Sequence, residues 1–414
     1  MASEYRSFRH SLPWLILSLQ VVLIILFYFT FPGQRVSISS VTYPVFQDVH
    51  HMVIFGFGFF LMFLRRYGFS SAGFNLLMVV LGVQLSVLIE GLLAFILNEE
   101  HDMELRSITK GVLSMTAVVI STGAVLGKMN PVQLTLMTVA EIMLFHVNRW
   151  INQRFLLLPE NVNMMHVHLF GAYFGLAVSS RFPVPSPRSD KNASTPKSVL
   201  LSMLGTLFLW VFWPSFNSVL AELDKSRAIC NTYFALAVSA VTAFVLSVLT
   251  TKDGKFKMAH IQSAVLAGGV AVGYTAHSIE HPWIAMILGL LASVITILGS
   301  HCLQGCLYPV LKIHDTSGVH STFGLPGVLG ALAQVILLVI QNWTTPPRQN
   351  ALLFSLPELV LEYVGAFCLT INVALLTGLI TGFILNLKLF KTIPVTKYFE
   401  DQFYWEFPHL AVGF

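Results

Sequence analysis

What this chain has least of is charge. Only 11% of its 414 residues are Asp, Glu, Lys or Arg, against roughly 25% in an ordinary soluble domain. Its 24 basic and 20 acidic side chains are too few to coat a globule of this size, which excludes a soluble enzyme as the starting expectation. Cysteine is scarce too. Cys230, Cys302, Cys306 and Cys368 lie in or beside apolar runs, with neither a disulfide framework nor a CxxC pair. No basic tract points to nucleic acid. The apolar run over 11–31 is longer than the about 7–15 residues of a signal core and lacks a small-residue cleavage site, so it reads as a first membrane span.

What is abundant is hydrocarbon: 55% of residues are hydrophobic and the mean hydropathy is +0.73. Apolar stretches fall at 11–31, 45–64, 71–97, 108–127, 131–150, 161–180, 198–221, 228–250, 259–279, 283–300, 318–341 and 355–387. Each has about the 20 residues a transmembrane helix needs, which predicts twelve spans. Backbone groups in lipid must bond internally, and runs such as Val22-Leu23-Ile24-Ile25-Leu26-Phe27 lack the alternation of a β-barrel, so the spans are helices. With the N-terminus cytoplasmic, Lys and Arg favour the inner segments about two to one, which places both termini inside. Residues 181–197 are rich in Pro, Ser and Lys and read as a flexible cytoplasmic linker; a tail, 388–414, follows the last span. Of two glycosylation sequons, Asn342-Trp343-Thr344 would face outside and Asn192-Ala193-Ser194 the cytosol. Small residues at four-residue spacing, Ala264/Gly268 and Ala267/Ala271, mark close helix packing.

Ionisable groups inside a membrane are functional hypotheses by default, because burying them is expensive. Two clusters stand out, Glu160-Asn161-Val162-Asn163-Met164-Met165-His166-Val167-His168 and Asp315-Thr316-Ser317-Gly318-Val319-His320-Ser321-Thr322-Phe323. Each opens a span with an acid placed to cap exposed helix N–H groups, and each has a ring eight residues on, His168 or Phe323. Matching elements five spans apart hint at an inverted repeat, an arrangement that commonly sets a substrate path at the repeat interface. Residues i and i+2 on a helix point about 200° apart, so His166 and His168 do not face one metal; neither a metal nor a cofactor is expected. No nucleophile and base stand at a spacing that suggests catalysis.

At these motifs the chain resembles the ammonium transporter/Rh superfamily, and within it the Rh blood-group polypeptides. Matching stretches include Phe46-Gln47-Asp48-Val49-His50, Arg65-Arg66-Tyr67-Gly68-Phe69-Ser70-Ser71 and Gly123-Ala124-Val125-Leu126-Gly127-Lys128. Others are Phe170-Gly171-Ala172-Tyr173-Phe174-Gly175-Leu176, Trp213-Pro214-Ser215-Phe216-Asn217-Ser218, His260-Ile261-Gln262-Ser263-Ala264 and the tail Phe407-Pro408-His409-Leu410-Ala411-Val412-Gly413-Phe414. The resemblance implies an all-α membrane protein of twelve helices: an extra N-terminal span (11–31), two inverted five-helix repeats (45–180 and 198–341) and a last span (355–387). It also implies a trimer of such protomers. In conducting relatives an outer acid attracts ammonium, stacked Phe rings gate the entrance, and two facing histidines line the pore.

Carried over residue by residue, His168 takes the first pore-histidine position and Phe323 the second. Phe216 matches one gate ring, while Thr122 stands where the other is expected. Arg149 falls at the vestibule acid, where a fixed cation would repel ammonium. Glu160 and Asp315 match the helix-start acids. Phenylalanine neither accepts a proton nor hydrogen-bonds ammonia, so the resemblance implies a non-catalytic subunit with impaired conduction. Its implied setting is the red-cell plasma membrane, with the Rh-associated glycoprotein as partner and ankyrin linking it to spectrin. The alternative is an ammonia or CO2 channel that uses His168. Cys302 and Cys306, near a cytoplasmic helix end, are candidate palmitoylation sites.

Overall fold

The computed structural model describes residues 2–31, 41–96, 104–185, 190–221, 224–303, 308–311, 313–344 and 356–406. Among the described residues a helix stands at each of the twelve expected spans: α1 (Ala2–Thr30), α2 (Tyr43–Phe63), α3 (Gly68–Ile96), α4 (Leu105–Val125), α5 (Pro131–Phe155), α6 (Glu160–Met165 continued by Val167–Ser179), α7 (Pro196–Ser218), α8 (Lys225–Leu249), α9 (Met258–Val272), α10 (Pro282–Cys302), α11 (His320–Asn342) and α12 (Leu356–Leu385). Nine of them, all but α5, α6 and α9, are long and apolar enough to cross a membrane. Every predicted span is built mainly of helix, because a long apolar stretch has no other way to satisfy its backbone in lipid.

The irregular places are informative. α9 was expected to reach residue 279 but ends at Val272. The chain continues as turns in which the Thr275 and Ser278 hydroxyls donate to carbonyls three residues back, a local bond that competes with the helix. α6 breaks at His166, whose N–H donates to the Asn163 carbonyl three residues back. α2 and α11 each carry one π-turn, Met52–Gly56 and His320–Gly324. Such turns often sit at functional sites.

Packing repeats itself between the two halves. Gly175 lies seven residues after His168 and Gly330 seven after Phe323. A Cβ at the first would collide with the backbone of Ser121 on α4, and at the second with the backbone of Ala271 on α9. Each glycine lets two helices touch at their backbones, the device lipid-embedded helices use in place of a hydrophobic driving force. These are equivalent pairs, α6 on α4 and α11 on α9, five spans apart. Gly268 of the predicted small-residue stretch presses likewise on Ala235 of α8.

The tail is folded onto one end of the bundle. Asp401 accepts the Phe69 and Ser70 N–H groups at 2.9 and 2.8 Å, capping the start of α3. Phe399 N–H donates to the Gly127 carbonyl, and its ring fills the space that Gly127, at φ +76°, leaves beside it. Glu400 pairs with Lys191 at 2.5 Å. The linker is correspondingly less free than its composition suggests. Arg65 N–H donates to the Ala193 carbonyl, and Lys191 Nζ to the Thr396 carbonyl at 2.6 Å. Residues 186–189 of the linker and 407–414 of the tail lie outside the described residues.

Candidate functional site: the aromatic centre and its two mouths

At the centre of the protomer the irregular helices bring their rings together. His168 is fully buried, stacked on Trp213 of α7 at 5.9 Å and on Phe323 of α11 at 6.3 Å, with ring planes 15° and 10° apart. Phe216 closes on the same imidazole at 5.8 Å, tilted by 59°. Beyond Phe323 stand Phe57 and Phe60 of α2, at 5.8 and 6.3 Å. His168 Nδ1 lies 3.1 Å from the Met165 carbonyl, which can only accept, so Nδ1 carries the hydrogen. Nε2 is then an acceptor, and it is buried with no partner. His168, Phe216 and Phe323, widely separated in sequence, thus form one assembly.

Thr122 does not join it. Its hydroxyl is turned to Met78 of α3, 3.7 Å away, one turn before the end of α4. At the neighbouring Gly123, a Cβ would press on Ser317 and Val319, which lie near the Asp315 end of α11. The position expected to hold a second gate ring therefore faces α3. His166 is separate too: it turns to the Thr370 hydroxyl at 2.8 Å.

The two helix-start acids do different things. Asp315 caps α11, its carboxylate accepting the N–H groups of Gly318, Val319 and His320 at 3.0, 3.0 and 2.9 Å. Glu160 makes no cap bond, contrary to expectation; Pro159 holds the N-cap position. Its longer side chain reaches instead to Arg106 at 2.6 Å and to Lys110, both on α4. Arg149 is not the bare cation expected. Its guanidinium, 8% exposed, pairs with Glu90 of α3 at 2.9 Å and lies 3.9 Å from Glu160. Beside it His146 contacts the Ser86 hydroxyl at 3.0 Å. This mouth is a network of Arg106, Lys110 and Arg149 with Glu90 and Glu160.

At the other mouth, in the turn between α4 and α5, Lys128 is buried. Its Nζ donates to Ser179 Oγ at 2.6 Å and to the His314 carbonyl at 2.5 Å. Both acceptors are neutral, and burial lowers the ammonium from its ordinary value to about 7. Burial and Lys128 together hold His314 down at about 3.

Sequence reasoning missed Glu90, Lys128 and Glu141, the last fully buried and bonded to Ser121. Each was findable as an ionisable residue in or at the edge of an apolar run. Of the candidate acylation sites, Cys302 is exposed and Cys306 lies outside the described residues. Asn342 of the outer sequon sits in the last turn of its helix, its amide donating to the Leu338 carbonyl.

Apolar helices around a buried ring stack, with equivalent glycine contacts in α6 on α4 and α11 on α9, define a channel-type membrane fold. The chain belongs to the Ammonium Transporter Family, which it matches over residues 14–404. Within that family it stands with the Rh blood-group polypeptides. It is 42% identical to the human blood group Rh(CE) polypeptide and to an RH-like protein of Macaca mulatta, and 43% identical to the blood group Rh(D) polypeptide of Rattus norvegicus, each over the full length of both chains. Among solved structures it superposes on Nitrosomonas europaea Rh50 with a TM-score of 0.74 and 29% identity, covering 89% of this chain and 92% of that one. A sensor Amt protein (TM-score 0.66, 20% identity, 86% and 94% covered) shares the fold. The expected architecture holds: two inverted five-helix repeats with an extra N-terminal helix.

Proposed function

We propose that this chain is a non-catalytic Rh-type subunit of an oligomeric membrane complex, and that its own ammonium conduction is impaired at Phe323. One observation supports this above the others: the Phe323 ring lies parallel to His168 at 6.3 Å, where a second imidazole would have to stand. Shedding a proton from ammonium and escorting ammonia need lone pairs and N–H groups on both sides of the path. A benzyl ring supplies neither, and Phe57 and Phe60 extend the apolar wall behind it. The repeats are assigned to 45–180 and 198–341. The complex is a homo- or heterotrimer with the Rh-associated glycoprotein in the erythroid plasma membrane, both termini cytoplasmic, joined to ankyrin through cytoplasmic segments. The tail from Lys388 onward is the segment assigned to that contact.

A second reading has its own support. His168 Nε2 is a buried acceptor without a partner, the state in which an imidazole can receive a hydrogen bond from ammonia, so a channel for ammonia or CO2 that uses one histidine is the competing function. Methylammonium uptake into liposomes holding only this protein separates the two. The subunit reading expects uptake near the protein-free rate, rising several-fold in Phe323→His. Saturable uptake by the unaltered chain, lost in His168→Ala, would establish the channel reading instead.

A further inference from the structure

α12 has two faces. Ala366, Thr370, Ala374, Gly378 and Gly382 are buried against the bundle, and a Cβ on Gly378 would meet the Phe174 carbonyl at 2.6 Å. The opposite face runs through Leu361, Gly365, Cys368, Asn372, Leu376 and Phe383, which span an arc of about 80° at 100° per residue. Leu361, Cys368, Asn372, Leu376 and Phe383 are exposed. Asn372 is out of place there. It sits near the middle of the apolar run 363–385, and its amide makes one hydrogen bond, to its own helix, from Nδ2 to the Cys368 carbonyl at 2.8 Å. That leaves an amide N–H and the carbonyl oxygen turned toward hydrocarbon, where neither finds water.

Gly365 is idle in the same way. Gly171, Gly175, Gly268, Gly289, Gly330 and Gly378 press on neighbouring backbone, but among the described residues a Cβ at Gly365 would meet only Leu156 methyl carbons at 3.7 and 3.9 Å, ordinary contact. Among the described residues nothing inside the protomer requires a glycine at that point. A second helix approaching this face would require it.

We propose that the outer face of α12 pairs with the same face of a second copy of this chain, about a two-fold axis passing close to Asn372. A carboxamide is both donor and acceptor, so it is satisfied by its own image: each Asn372 donates its remaining N–H to the carbonyl oxygen of the other. Two copies in one membrane point the same way, so residues at equal depth meet. Gly365 and Cys368 provide the small surface on which the backbones close. Such an isologous contact is distinct from the head-to-tail contacts of a threefold ring, which set unlike surfaces together.

Cys368, one turn from Asn372 and a free thiol, makes the pairing testable in the full-length protein. In liposomes, with Cys230, Cys302 and Cys306 changed to Ser, mild copper-phenanthroline oxidation should convert most of the protein to a disulfide-linked dimer. Each disulfide forms from two thiols, the oxidant taking two electrons and two protons leaving. Asn372→Leu keeps the bulk, removes the amide, and should lower the cross-linked fraction at least five-fold; Asn372→Gln should retain most of it. Circular dichroism and gel filtration of each variant report that it is folded. No dimer from the Cys368-only protein, or a dimer unchanged by Asn372→Leu, would overturn the proposal.

Discussion

The openings of α6 and α11 began as equivalent pieces of sequence, an acid and then a ring eight residues later, and they have diverged in both features. In α11 the acid closes the helix on itself: Asp315 holds three of its own backbone N–H groups. In α6 the N-cap is Pro159, which has no side-chain acceptor, and the acid instead joins a charge network with α4. The ring is an imidazole in one and a benzyl group in the other. One extra methylene in Glu160 is enough to move a carboxylate from its own helix to the next. An inverted repeat therefore preserves where the chain bends and where its helices touch more faithfully than which atoms do the bonding.

The largest test of this contrast lies at the Glu160 mouth, where charges depend on partners from other helices. Arg149→Met should lower stability by about 3 kcal/mol, since it strands Glu90 in a low-dielectric site. Thermal unfolding in nanodiscs checks this, and adding Glu90→Gln should recover part of the loss. Next comes the direct comparison of acids. Asp315→Ala removes the acceptor for three N–H groups and should cost about 2 kcal/mol, whereas Glu160→Ala, a quarter exposed, should cost about 1 kcal/mol. If Glu160 proves the more damaging, the two acids do the same work after all.

A smaller effect is expected with pH at the tail mouth. The folded state holds Lys128 at about 7 and the unfolded chain near 10.5, so between these values the unfolded state binds the extra proton. Stability should therefore rise as pH goes from 7 toward 10. Unfolding midpoints across that range should show the rise in the unaltered protein and a flatter profile in Lys128→Met. The smallest structural change is Phe323→His, near in size and expected to leave the fold intact, so that its transport result reports chemistry alone.

Much of the architecture was legible without coordinates, because the length of an apolar run and the need to satisfy backbone groups leave one choice, a helix, for each span. The meeting of His168, Phe216 and Phe323 was also legible, but only through the resemblance to the ammonium transporter/Rh superfamily, which assigned each a place along the pore. Thr122 was misplaced because a motif match fixes position along a helix but not the direction a side chain takes around it, and here it points to Met78. The partner of Arg149 was out of reach for a different reason. Glu90 is one ionisable residue inside a long apolar run, and nothing local says that it will meet a cation 59 residues further on. The break in α6 has no signature in composition either, since a hydrogen bond between the Asn163 amide and the Arg149 carbonyl of α5 accompanies it.

The cap on α3 has a consequence for how the molecule is made. Ser70 waits for Asp401, which the ribosome adds 331 residues later. The first half of the protein thus inserts with a raw helix end that only the last stretch of translation can finish. A transcript ending before residue 401 would yield a chain with nearly every span in place and its early turn still open, a flaw for membrane quality control to find.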